Sequence, residues 1–475
     1  METFREMEVL LQRNDLVFRK AREPMVLEHT DWCMLSGSAL SQKKSSYRSH
    51  LIGKLLQVKY KRGTGGRLEK HFFEIQREAL AARFLLFLGA RHSAIRLLER
   101  VFRKSEQRND TATALFTAQL LRHHYGVIQR KGEKYRFYKT RASEKLFQYH
   151  AEALADEYLE DLLYQYQSGG GSKSALSKIA SEYEAELSKL LDKHTTVKLH
   201  HRFRFIRVIH QMCLNDYEET AIGCREAIQF FRAIPACPPA YIRAYLFQLI
   251  VCEIQLEHFR KGENTVYQLL KMVHPGNSNW FKVLELHCIL CLRERNYVQA
   301  FEIWQQAASN SSFSRLYASD QEIWRIVEAF LNYLADFDFA GKELSELPPF
   351  RLGKFLNEVP TLTQDKRGYN VTILVVQILF LLRKKDYDAI IDRAEAIEKY
   401  TDRYLRGLAH RRSRFFLKMI LQLPRAGFHS LRVERRVKAW HQKLLATPPA
   451  MAREPHEIEI VPYEELWEMV LIDIG

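Results

Sequence analysis

The stretch LELHCILCLRERNYVQAFEIWQQA, Leu284 to Ala307, decides the reading of the fold. In it Leu284, Cys288 and Cys291 recur three or four residues apart, the spacing that aligns side chains on one face of an α-helix. Asn296-Tyr297 then marks a tight turn, and Ala300, Trp304 and Ala307 repeat the spacing on a second helix. The pair predicts an antiparallel helical hairpin. Its small Ala300 lets the two helices approach closely, while Trp304 fills the groove beyond.

Working outward, turns of the same kind stand at Asp216-Tyr217, His258-Phe259, Asp338-Phe339 and Asp386-Tyr387, each between two apolar helical runs. The steps between successive aromatics are 42, 38, 42 and 48 residues. A recurrence of this length predicts stacked helix pairs, each burying its apolar face against its neighbours. Thr220, Gly262 and Ile390 occupy the place that Ala300 occupies in the best copy.

A small residue midway along the first helix, an Asp-Tyr-like turn, then Ala, an aromatic and Ala is an order that resembles the tetratricopeptide (TPR) repeat, over roughly residues 198–400. Two departures stand out: Arg295 lies where the family usually has Gly, and the step exceeds that family's usual length of about 34 residues. The resemblance implies an all-α fold, an α-solenoid of antiparallel hairpins in a right-handed superhelix. It also implies a concave surface, lined by polar and aromatic residues of the first helices, that binds a peptide or protein segment.

Composition agrees. Hydrophobic residues make up 47% of the chain, with 28 Phe and 22 Tyr against 13 Pro and 20 Gly, which suits a large core and few strand turns. No run of 18 or more apolar residues occurs, and the N-terminus METFREMEVLLQRNDLVFRK is charged and amphipathic. Neither a membrane span nor a secretory signal is expected, and the default location is cytoplasmic. Seven cysteines between Cys33 and Cys291, mostly at apolar helical positions, fit a reducing compartment.

Four parts are expected: an N-terminal helical region over 1–167, a Gly/Ser linker over 168–174, TPR-like repeats over 175–445 and an acidic, hydrophobic tail over 446–475. Helices are expected at 4–20, 68–88, 91–104, 110–125 and 143–167. The hairpin holding Phe84, Leu88, Ala94, Leu98 and Phe102 reads as a further repeat whose turn, Gly89-Ala90-Arg91, lacks the aromatic. Ser319 with Glu322 makes a capping box for the helix carrying Trp324. Residues 36–46 and 61–66 read as loops. In the tail, Leu466, Trp467, Met469 and Leu471 form an apolar motif among acidic side chains. It either caps the open apolar face of the last repeat or plugs the groove as a detachable peptide.

Charge is uneven: net +14 over residues 51–150, +10 over 401–450 and −6 over 451–475. In the first block Arg130, Lys134, Arg136 and Lys139 alternate with Tyr135, Phe137 and Tyr138. In the second, Arg406, Arg411, Arg412 and Arg414 follow one another along a helix. Cations interleaved with aromatics suit phosphates and unpaired bases, so these eight residues form a candidate nucleic-acid surface. An acidic protein partner matches the same charge, and self-contact between the second block and the acidic tail is the simplest reading.

Chemistry finds little purchase. Cys288 and Cys291 form a CxxC, yet a tetrahedral zinc needs four ligands and no second pair stands at suitable spacing, so a core role is expected. His123-His124 and His200-His201 are adjacent pairs, whose side chains point about 100° apart on a helix. Gly169 to Ser174 lacks the strand and the Gly-Lys order of a P-loop, and Gly63 to Gly66 reads as a basic turn. The chain is therefore read as a non-enzymatic scaffold with no cofactor. Nucleic-acid binding is the second reading, and a regulator gated by its tail the third.

Overall fold

The computed structural model describes residues 67–167, 173–235, 237–348, 350–358, 370–405, 411–447 and 459–475. The helix expected at 4–20, both expected loops, residues 168–172 of the linker, Cys33 and Arg406 lie outside them. Among the described residues every regular element is helical. The chain divides into two compact units, Met1–Leu146 and Phe147–Gly475.

In the first unit, helices α1 (Arg67–Phe87), α2 (Arg91–Gln107) and α3 (Thr111–His123) pack in succession. A single π turn, His124–Ile128, leads into the long helix α4 (Gly132–Gln167), which starts earlier than the expected 143 because the run 133–142 is itself helical. Ala82, Leu98, Phe102, Ala114, Ala118, Leu121 and Tyr138 form the core of this unit.

The second unit takes in the rest of α4 and continues through α5 (Lys173–Leu191), α6 (Val197–Cys213), α7 (Tyr217–Ala233), α8 (Pro239–Gln255), α9 (Phe259–Leu270), α10 (Ser278–Arg293), α11 (Tyr297–Ala308) and α12 (Ala318–Leu334). Lys173 and Ser174, assigned to the linker by sequence, are the first residues of α5. A short α13 (Leu352–Glu358) precedes α14 (Asn370–Arg383), α15 (Tyr387–Tyr404), α16 (Arg411–Ile420), α17 (Gln422–Arg425), α18 (Ser430–Leu445) and α19 (Tyr463–Ile474). From α5 to α12 each helix packs on the next, and one continuous apolar core runs from Val208 to Val470.

One turn geometry recurs. Asn109, Asn215, Glu257, Arg295 and Lys385 all have φ between +55° and +63°, and each is followed by the N-cap residue of the next helix. At each, the following N–H reaches back to the carbonyl five residues earlier, as Asn296 N–H does to Cys291 O at 2.9 Å, which closes the preceding helix as a Schellman turn. Gly89, at φ +81°, closes α1 in the same way. Asp110, Asp216, Asn296 and Asp386 then cap the next helix, each side chain accepting the backbone N–H three residues on.

Four residues after each of the six N-cap positions stand Ala94, Ala114, Thr220, Gly262, Ala300 and Ile390, and all six are buried. The position is thus defined by burial and not by Ala. Gly262 shows why size still counts: a Cβ there would lie 3.0 Å from Leu290 Cδ1 on α10.

The copy at Asp338-Phe339 departs from this. Phe337, in the place of the positive-φ residue, is extended at φ −107°. Its ring is buried against Tyr333 and under the Arg383 guanidinium, 4.5 Å from the ring centre. With Phe337 extended and its ring held inward, no left-handed residue closes α12 at this place. Two 3-10 turns, Asp338–Ala340 and Lys342–Glu346, therefore follow in place of a second helix. Two further expectations are corrected. The N-cap of α12 is Tyr317, so Ser319 lies inside the helix and forms no cap there. Trp304 is only half-buried, while Phe301 and Ile303 carry the buried contacts of α11. Trp304 instead borders a cleft of about 550 Å³ with Trp324, Phe350 and Phe355, left where the irregular segment replaces a helix.

Candidate functional site

Four aromatic and aliphatic side chains of α19 turn inward. Leu466, Trp467, Met469 and Val470 are each at most 3% exposed, whereas Leu471 is half-buried at the margin. Around this apolar centre the carboxylates of the tail meet donors from well-separated parts of the chain. Glu465 accepts a hydrogen bond from the Tyr297 hydroxyl at 3.1 Å and pairs with Arg295 at 3.0 Å. Asp473 accepts from the Tyr333 hydroxyl at 2.7 Å and pairs with Arg383. Arg412 holds Glu459 through two nitrogens and Glu464 through a third contact, and also donates to the Leu444 and Thr447 carbonyls. Tyr463 stacks on Phe416, with ring centres 4.6 Å apart.

The electrostatics follow from burial. Desolvation raises Glu465 above the usual carboxylate range despite the opposing Arg295 and Tyr297. It likewise raises Tyr333, with Asp473 beside the hydroxyl adding to the effect. Burial opposes the charge of Arg412, but Glu459 and Glu464 outweigh it and hold its proton more tightly than usual. Arg293, nearby and buried, donates to the Ile254 carbonyl at 3.3 Å, and its Nε has no hydrogen-bond partner among the described residues.

The candidate cations of the two basic blocks fall in different units, Arg130 to Lys139 in the first and Arg411 to Arg414 in the second. Arg412, expected on a binding surface, is an internal ion-pair residue instead, because the second block folds against the acidic tail. Arg414 and Lys418 face Asp402 at 4.0 and 3.1 Å, and Arg411 is exposed. In the first block Lys134 is committed to Glu99 at 2.8 Å and lies over the Tyr125 ring. Burial would raise Glu99, but hydrogen bonds from Lys134 and Tyr125 hold its carboxyl below the ordinary value. Arg130, Arg136 and Lys139 are exposed. Tyr138 is buried and Phe137 half-exposed, so the alternation seen in sequence splits between an inner and an outer side of α4.

The six described cysteines are buried, Cys288 and Cys291 among them, and burial pushes the thiols up, to about 12 at Cys224 and Cys291. His201 is driven down to about 3 by burial between Tyr241 and Tyr245. Among the described residues no cluster of three or more His, Cys, Asp or Glu could hold a metal ion, and no helix is long and apolar enough to cross a membrane.

Arg295, Tyr297, Tyr333 and Arg383 were not singled out from sequence as groups that grip the tail. No local signal marked them: Arg295 shares its left-handed position with Asn109, Asn215, Glu257 and Lys385 at the other turns. No family model, no curated protein and no solved structure matches the chain.

Proposed function

We propose that this protein is a non-enzymatic interaction scaffold, an α-solenoid of TPR-like hairpins that takes a peptide or protein segment on the face formed by the first helices of successive hairpins. The observation that carries this reading is the recurrent unit itself: a left-handed closing residue and a buried residue five positions on, at six places in the chain, with a capping side chain between them at four of the six. A repeat built this way stacks one apolar core and leaves a row of helix faces for recognition. The buried thiols support a reducing compartment such as the cytoplasm.

The test is recovery of partners by the tagged full chain from its native extract, with and without nuclease, followed by cross-link mapping. A protein that survives nuclease and cross-links to α8, α10, α12 or α14 is the expected result. Recovery that needs nucleic acid, with cross-links confined to the exposed cations of α4, would overturn the scaffold reading.

A further inference from the structure

Helix α18 carries a charge pattern that works against the helix itself. Arg432, Arg435, Arg436, Lys438 and Lys443 are all exposed, and Glu434 is the one acidic side chain among its 16 residues. At about 100° per residue, Arg432, Arg435, Arg436 and Lys443 fall within about 100° of arc and form a ridge. Val433, Val437 and Leu444 turn into the core on another side. Earlier in the same basic block the cations meet carboxylates: Arg412 pairs with Glu459 and Glu464, Arg414 and Lys418 with Asp402, and Arg425 with Glu398. Among the described residues no ion pair reaches the cations of α18, and Lys443 lies over the Trp440 ring at 4.6 Å.

The ridge costs the helix stability. Arg432 stands three residues before Arg435 and four before Arg436, spacings at which like charges repel. The first turn holds Arg432 and no acidic residue, so a cation meets the positive end of the helix dipole, and the N-cap, His429, adds no side-chain hydrogen bond there. An anion from outside offsets both repulsions. Its chemistry follows from what the ridge lacks. An acidic protein needs an apolar centre to anchor it, and an anionic membrane needs an apolar face to insert. Ala439 stands in the middle of the ridge, and the exposed Leu431 and Leu445 lie at opposite ends of α18, about 21 Å apart along its axis. A partner held by charge alone remains, and nucleic-acid phosphates, which release condensed counterions to each cation, are that partner. From Arg432 to Lys443 the axis rises about 16 Å, beside which a duplex carries about nine phosphates, more than the ridge needs. With no aromatic side chain on the ridge to stack on unpaired bases, a duplex fits it better than a single strand.

From this we propose that the outer face of α18 binds the phosphate backbone of duplex nucleic acid without reading its sequence. Arg432, Arg435, Arg436 and Lys443 make the phosphate contacts, and Lys438 flanks them. This activity goes beyond the scaffold reading and does not depend on it.

The probe is a fluorescein-labelled duplex of about 20 base pairs, titrated into the full chain and followed by anisotropy. Between about 50 and 200 mM salt its binding should weaken on the order of 100-fold or more, as four phosphate contacts require. Arg432→Gln, Arg435→Gln and Arg436→Gln together should weaken binding at least tenfold at the lower salt and flatten the salt slope by about 2.7. The melting temperature of that variant should hold or rise, because the repulsion along α18 is gone. The same three positions changed to Lys should keep binding within about twofold, since a phosphate contact needs the charge and not the guanidinium fork. Equal affinity of the unmodified and Gln-substituted chains would overturn the proposal, as would Lys variants that lose as much as the Gln variants. Tighter binding of the single strand, or displacement of the duplex by a polyglutamate peptide or by phosphatidylserine vesicles at lower charge concentration, would also overturn it by naming another partner. Failure to recover a protein partner, with duplex binding intact, would defeat the scaffold reading and leave this one standing.

Discussion

Asn296-Tyr297 and Asp338-Phe339 look alike in sequence and fold differently. At the first, Arg295 takes a left-handed conformation, the Asn296 side chain caps α11 and Tyr297 is buried. At the second, Phe337 is extended, 3-10 turns follow and Phe339 is 55% exposed. The polar-aromatic pair is thus not what makes the hairpin. What makes it is the residue before the pair, which must accept positive φ; Arg295 does, and Phe337 is held inward by Tyr333 and Arg383.

The largest effect that bears on this difference concerns the two tryptophans. Trp467→Ala should cost about 3–5 kcal/mol, as for a large buried side chain, whereas Trp304→Ala, beside the cleft of the irregular segment, should cost less than about 2 kcal/mol. Urea unfolding followed by circular dichroism measures both, and equal losses would remove the distinction. Next comes Gly341→Ala. Gly341 has φ +98°, and a Cβ there would lie 2.6 Å from Val298 Cγ2. A loss of about 1–3 kcal/mol is expected, and a neutral result would mean the 3-10 segment adapts freely.

Capping gives a smaller contrast. Asn296→Ala and Asp216→Ala should each cost about 1 kcal/mol, while Ser319→Ala, inside α12 and capping nothing, should cost less than about 0.5 kcal/mol. Melting temperatures of the three variants rank them directly. The smallest effect has the opposite sign. Glu257→Gly relieves a left-handed glutamate and should stabilise by about 0.5–1 kcal/mol, the strain relieved less the added chain entropy. A loss at this position would show that Glu257 makes a contact worth more than its strain.

Four of the five hairpin turns were legible because each announces itself within a few residues: an apolar run, a polar cap, an aromatic and a second apolar run. Burial of Leu284, Cys288, Cys291, Ala300 and Ala307 was legible for the same reason. The turns at Gly89 and Asn109-Asp110 follow the same geometry without an aromatic, so a search keyed to the aromatic passed over Asn109-Asp110. The candidate site was harder. Leu466, Trp467 and Met469 could be singled out as an apolar motif, but the groups that receive them lie up to 168 residues away in sequence, as Tyr297 does from Glu465. No local pattern encodes such a pairing. Charge counting pointed to the second basic block and the tail together, yet could not show that Arg412 alone would be buried there and Arg411 left outside.

The distance between Tyr297 and Glu465 also has a meaning in time. During synthesis at 5–20 residues per second, the 168 residues that separate them take about 8–34 s to be made. In the later part of that interval, once Arg383 has been made, the inward faces of α12 and α14 exist without the helix that covers them. The nascent chain therefore presents to its surroundings an apolar surface rimmed with cations, which nascent-chain-binding chaperones are suited to shield, and α19 withdraws it.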